Sequence, residues 1–289
     1  MTAAATTTKR IGTDDIPVRQ MDFEFDEAIS TFWFDGDPLR TMLLTALSGT
    51  FPEGERMFMR SVRHYQSNLK DPELRQRVKA FIGQEAHHGK EHQTFNDMMT
   101  RKGIPVDRID AYTKMGLKRI ERFYSPGRVL AKTCALEHFT ALFAELLLAH
   151  PELIDGVDDP LKPLWIWHAI EESEHKSVAY DVYQEQVGGY WLRVSEMAIT
   201  TVMFSFFSAL HTAQLLQAAK DQPRTRRWRL KDRLQGMWRH REVLAELGKH
   251  YLTYYKPDFH PSQKDSRALR DHGLALLTAY VGDKAHISA

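Results

Sequence analysis

The sequence predicts an all-α fold: a four-helix bundle with one long crossover and additional C-terminal helices. Three observations predict it. Helix start and stop signals recur along the 289 residues, while strand alternation is absent. Two Glu-x-x-His units, Glu85-Ala86-His87-His88 and Glu172-Ser173-Glu174-His175, each lie inside a long helical pattern. Residues at i and i+3 share one helix face, so each unit presents a carboxylate and an imidazole together.

The elements follow in order. Residues 1–20 are read as a disordered tail, and the Ala/Thr-rich start lacks the apolar stretch of a signal peptide. Residues 21–289 are read as one domain, with the bundle over about 50–188 and a helical extension over about 190–289. Residues 23–34 are aromatic and acidic and form a lead-in with little regular structure. Helix one is expected over 52–69, since Pro52 suits a first turn and Glu53 would complement the dipole there. Asp71-Pro72 is an N-cap followed by proline, and it opens helix two, which runs to about Arg101 before Gly103 and Pro105. A shorter helix is expected over 110–123. Ser125-Pro126 caps the next, which ends at His150-Pro151. Asp159-Pro160 opens the fourth long helix, which ends at Gly188-Gly189.

Spacing supports the pairing. Glu55 lies 14 residues before Leu69, and Glu85 lies 14 after Asp71. Glu137 lies 13 before His150, and Glu172 lies 13 after Asp159. In two antiparallel hairpins these carboxylates sit level, each about 20 Å from its turn at ~1.5 Å per residue. The segment between the hairpins is long enough to cross the bundle, which is the one-crossover topology of ferritin-like folds. Such bundles hold two metal ions with a Glu from each of two helices and a Glu-x-x-His from each of the other two.

The candidate ligands are therefore Glu55, Glu85, His88, Glu137, His168, Glu172 and His175. They lie on apolar stripes: Phe81, Glu85, His88, His92, Phe95 on helix two, and Leu164, His168, Glu172, His175, Ala179 on helix four. A lone carboxylate there is costly to bury, whereas four carboxylates neutralise two dications. The competing reading is a solvated charged face with chance matches. Two units at matched heights, with Glu partners on the other helices, weigh against it. Only Glu172, among Glu171, Glu172 and Glu174, has the i+3 relation to His175 and the i−4 relation to His168. His87 points off this face. His92, one turn beyond His88, is read equally as a supporting group or a satisfied core histidine. Cys134, one turn before Glu137, is read as a small buried thiol.

Phe51-Pro52-Glu53-Gly54-Glu55-Arg56, Gln84-Glu85-Ala86-His87-His88 through His92, and Phe259-His260-Pro261 resemble the bacterial family of predicted metal-dependent hydrolases. The resemblance covers about 34–261. The ligand pattern itself is similar to that of the di-iron arylamine N-oxygenases, which use Glu, Glu-x-x-His, Glu, then His-x3-Glu-x2-His. His168 is a seventh ligand beyond the commoner set of six. Outside the ligands no similarity to those oxygenases is seen, so their substrates do not carry over. That resemblance implies that Gln84 orients His175 and Glu171 orients His88, hydrogen bonds of a kind that fix an imidazole tautomer.

Carboxylate and imidazole ligands suit iron, with manganese and zinc compatible. The first expected function is a di-iron oxygenase or oxidase acting on an apolar or amphiphilic small molecule, with dioxygen and an electron-donating reductase as partners. The alternative is a metal-dependent hydrolase using a two-metal-activated water. Ferroxidase-type iron oxidation is a third, and the long addition after Gly189 argues against it.

Composition narrows the rest. The formal charge is +1, and the single cysteine excludes an intrachain disulfide and a cysteine-based metal site. That fits a cytoplasmic protein. Residues 197–219 contain no Asp, Glu, Lys or Arg. They are read as a fifth bundle helix or homodimer contact, with membrane contact as the alternative. Residues 220–241 hold nine Lys or Arg against Asp221 and Asp232, with Trp228 and Trp238 interleaved. A basic amphipathic helix of this kind lies on anionic lipid or forms a solvated face. Peripheral membrane contact through 197–241 is therefore an expectation; no nucleic-acid motif is present.

Overall fold

In the computed structural model, the described residues are 16–223, 241–282 and 286–288. The first helix, α1 (Pro38–Arg63), starts well before the expected position. Its N-cap is Asp37, whose carboxylate accepts from the Leu39 and Arg40 amides, with Pro38 at the first position. Pro52 is thus inside the helix, and Glu53 is no dipole partner at a terminus. Glu53 is buried in mid-helix and pairs with Arg56 at 2.6 Å and Lys114 at 3.5 Å.

An interior proline removes the amide that would bond the carbonyl four residues back. Here that carbonyl belongs to Ser48, and Asn96 Nδ2 donates to it at 2.9 Å. The gap in α1 is therefore filled by a side chain from α2 (Pro72–Arg101), the helix that Asp71 caps as expected.

The crossover helix α3 (Val106–Phe123) begins four residues earlier than expected. It packs beside α1, where Gly49 admits it: a Cβ there would meet Val106 Cγ1 at 2.8 Å. Arg60 reaches Glu121 near its far end, so α3 runs alongside α1 and returns the chain to the opposite end of the bundle. Ser125 then caps α4 (Pro126–Ala149).

The fourth long helix departs from expectation at both ends of its first half. Pro160 and Pro163 lack amide protons, and Asp159–Leu161 forms a 3-10 turn before α5 (Lys162–His175). The helix is interrupted at Lys176-Ser177, where Ser177 Oγ accepts from Arg77, and resumes as α6 (Val178–Gln186). Gly188, at φ +68°, ends it. Helices α1, α2, α4 and α5–α6 pack together around a core split into two apolar clusters, one at each end. Between the clusters lies a layer of buried Glu and His.

After the bundle, α7 (Tyr190–Ala218) packs on α1 and α4. Among the described residues it alone is long and apolar enough to cross a membrane, and its outer face exposes Trp191, Val202, Met203, Phe206 and Phe207. The expected basic stretch falls largely outside the described residues. Helix α8 (Arg241–Thr253) packs on α4, and α9 (Arg267–Val281) packs on α5 and α4.

The N-terminal reading differs from the structure at 16–20. Ile16 and Arg19 are buried, and β1 (Val18–Gln20) pairs antiparallel with β2 (His286–Ser288), a short ribbon that no alternation signalled. The lead-in is irregular as expected, and its Phe32, Trp33 and Phe34 pack into the core.

Candidate metal centre

Each helix of the bundle brings its share of one buried layer. Glu55 comes from α1, Glu85 and His88 from α2, Glu137 from α4, and His168, Glu172 and His175 from α5. All seven predicted ligands are buried. Their donor atoms form three overlapping groups, each within 4.8 Å: Glu55–His88–His168, Glu85–Glu137–His175 and Glu85–His88–Glu172. His175 Nε2 lies 3.1 Å from Glu85, 3.4 Å from Glu172 and 3.6 Å from Glu137. His168 Nε2 lies 3.1 Å from Glu172, and His88 Nδ1 lies 3.5 Å from the same carboxylate oxygen. Gly89 gives Glu55 its room, since a Cβ there would stand 3.0 Å from Glu55 Oε2. His87 is only partly buried and takes no part.

The residues fit a metal pair on one specific observation. Among the described residues, nine buried polar atoms of this layer lack a hydrogen-bond partner. They are both carboxylate oxygens of Glu55, Glu85 and Glu137, with Glu172 Oε2, His88 Nδ1 and His175 Nε2. Buried polar atoms are ordinarily paired, and nine orphans converging on one place fit a site for cations. Four carboxylates carry the charge of two dications.

The electrostatics agree. Burial first, and the neighbouring Glu85 next, push Glu55 and Glu137 well above the usual carboxylate range. Glu85 is raised too, by burial, against the pull of His175. Burial also works against Glu172, but His175, His168 and His88 hold it well below that range. Burial would lower His88, yet Glu171 and Glu172 raise it to about 10. His175 is likewise raised against burial by Glu172, Glu85 and Glu137. Carboxyls that resist ionisation beside imidazoles that attract protons mark a buried anionic cluster short of positive charge.

The surroundings fix which imidazole nitrogen faces the cluster. His175 Nδ1–H donates to Gln84 Oε1 at 2.9 Å. Gln84 cannot flip, because its Nε2 donates to the Pro17 carbonyl and to Glu174, both at 2.8 Å. His88 Nε2–H donates to Glu171 at 3.1 Å. Arg19 in turn grips Glu171 at 3.1 Å and Glu174 at 2.7 and 2.8 Å. For His168 the chain is longer. Ser48 Oγ–H donates to Asn96 Oδ1 at 2.7 Å, so Ser48 accepts from His92 Nδ1–H at 2.8 Å. His92 Nε2 is then an acceptor, and His168 Nδ1–H donates to it at 2.7 Å. Burial first, then His168 and His88, hold His92 well below the usual imidazole range, as this neutral role requires. All three imidazoles therefore turn one nitrogen inward (His88 its Nδ1, the others Nε2), the atom that would offer a lone pair to a bound ion.

Glu171 and Gln84 thus touch the histidines that the resemblance assigned to them, and His92, for which the sequence left a supporting and a core role open, touches His168. Arg19, Ser48, Asn96 and Glu174 were missed. Asn96 follows His92 by four residues, a spacing that could have found it. Ser48 lies seven before Glu55 on the same face, but outside the helix as expected from sequence. Nothing local signals Arg19. Phe51, Phe81 and Trp167 close the layer with rings 4.8–4.9 Å from His92, His175 and His88 respectively. Cys134 is buried in the core, and burial pushes its thiol well up.

Fold and site together define the class: an all-α protein with a buried carboxylate–histidine centre of metal-binding type. Residues 17–265 match the family of predicted metal-dependent hydrolases, and the chain belongs to that family. No curated protein and no solved structure matches the chain.

Proposed function

We propose that the chain is a two-metal enzyme of the hydrolase family to which it belongs, with Glu55, Glu85, His88, Glu137, His168, Glu172 and His175 holding the two ions. The observation that carries this is the convergence of nine orphaned buried atoms from four helices. When bound, two such ions lower the pKa of a water and polarise a carbonyl or phosphoryl oxygen. The chain's own residues do the rest. Gln84, Glu171 and His92 hold the imidazoles in one tautomer, and Arg19 holds Glu171 and Glu174 in place through its guanidinium. Phe51, Phe81 and Trp167 exclude bulk water, which strengthens each interaction inside.

A second reading, oxygen-dependent oxidation at a di-iron centre in a ferritin-like bundle, rests on two features. The ligand pattern, His168 included, is similar to that of di-iron N-oxygenases. The centre is also lined by aromatic rings rather than open to solvent. Iron, dioxygen and a reductase partner belong to that reading.

The test begins with metal analysis of protein purified without added metal. Ester, amide and phosphoester substrates are then assayed anaerobically with zinc, manganese or iron restored. Two ions per chain and turnover without oxygen support hydrolysis. Oxygen consumption with iron alone, and no anaerobic turnover, overturns hydrolysis in favour of oxidation. Absence of any bound metal overturns both.

A further inference from the structure

Phe259-His260-Pro261, singled out in the sequence, contributes no candidate ligand and lines a cavity of about 310 Å³. The cavity lies between α4, the α5–α6 break, α8 and the loop after α8. It stands close behind the centre. His138 and Lys176 on its wall immediately follow Glu137 and His175, and Ala141 lies one turn beyond Glu137 on the same helix face.

Its walls are mostly apolar: Ala141, Leu142, Phe259 and Pro261. Its charges are unequal. Lys176 Nζ spends all three protons, on Glu145 at 2.6 Å, the Lys264 carbonyl at 2.8 Å and Ser266 Oγ at 2.7 Å. Lys264 Nζ meets the other Glu145 oxygen at 3.1 Å, with His250 Nε2 at 3.5 Å, and stands at the opening 36% exposed. Two ammonium groups thus face one carboxylate. Glu246, on the Lys264 side, is turned to His250 at 3.6 Å and His150 at 3.9 Å, and Asp265 is turned to Arg267 at 2.6 Å. His260 is committed to Asp181 at 2.8 Å, and Asp181 to Arg77 at 2.7 Å. One polar atom stays unmatched: His138, 9% exposed, has its Nε2 without a hydrogen-bond partner among the described residues.

We infer that this cavity binds an amphiphilic monocarboxylate, its anion on Lys264, its chain over Leu142 and Phe259, and a polar atom within reach of His138. Resting on the two-metal reading, it is where the acidic part of the enzyme's substrate is held. At about 30 Å³ per water-sized group, the volume takes roughly ten such groups, the size of an eight-carbon acid.

The experiment is calorimetric titration of the full chain, as purified, with octanoate, octan-1-ol and octylammonium. Saturable binding of one octanoate per chain is expected, at least about tenfold tighter than either comparator, since one surplus charge at a partly desolvated site is worth about that factor. Lys264→Ala should weaken octanoate about tenfold and leave octan-1-ol unchanged, while Lys264→Arg retains it. Thermal melting checks that the Lys264 variants fold, since Lys264 is half-buried beside Glu145; Leu142→Trp, checked in the same way, should block all three probes. No octanoate binding, equal binding of octan-1-ol, or indifference to Lys264→Ala overturns the proposal. Metal content measured on the same samples separates the two readings. A metal-free protein that still binds octanoate through Lys264 refutes the centre and keeps the cavity.

Discussion

Glu137→Ala and His175→Ala each take a donor from the same buried group, so each is expected to drop bound metal from two ions per chain to one or none. Elemental analysis checks this, and full occupancy in both variants would sink the ligand assignment. Gln84 and Glu171 act one step further out; residues of that kind are worth about 10–100-fold in metal affinity. His138 tests a different physics. Burial, outweighing the pull of Glu145, holds its pKa at about 4 against an ordinary 6.5. Between those values the unfolded chain binds the proton and the folded chain does not. Stability therefore falls as pH is lowered from 6.5 to about 4, by at most about 3 kcal/mol. His138→Phe keeps the ring between Tyr254 and Phe259 and should flatten that part of the melting-temperature profile.

At the scale of elements, the gap that Pro52 leaves in α1 ties a backbone defect to an imidazole. Asn96→Ala strips the Ser48 carbonyl and hydroxyl of their partner and should cost about 1–3 kcal/mol by denaturant unfolding. Adding Pro52→Ala restores an amide for that carbonyl, so the double variant should recover part of the loss. Strict additivity of the two changes would show no coupling. The same helix shows what a sequence conceals. Asp37-Pro38 is the same signal as Asp71-Pro72 but was passed over, and Pro52 was read as a first turn, where proline is usual, since an interior proline is costly. The α2 and α4 caps were read correctly because a capping side chain and a proline act locally. The break at Lys176-Ser177 was not: no Gly or Pro marks it, and the Arg77 that meets Ser177 there lies 100 residues away. That the seven candidate ligands would meet in one buried layer was legible through helical periodicity and matched spacing. The cavity beside them was not, because its wall is assembled from segments with no common spacing.

Across the whole molecule, α7 buries one face and leaves the other bare. Val202 and Phe206 are 67% and 58% exposed. Replacing both by Glu should change stability by less than about 0.5 kcal/mol per site, as at other surface positions. The same pair should lower any vesicle flotation or self-association seen by light scattering. A large loss of stability would instead place these side chains in a core. At the other end of the chain, Arg19 meets Glu174 across 155 residues and Glu171 across 152. That separation sets an order in time. At ~5–20 residues per second, a ribosome needs roughly 8–30 s to make the stretch between them. Once made, Gln84 waits a further 90 residues for Glu174 to fix its amide, and through most of that wait His88 lacks Glu171 and His175 is not yet made. The centre is thus closed late in synthesis by a residue that left the ribosome early. Ions that reach a nascent chain therefore meet loose carboxylates rather than the finished layer.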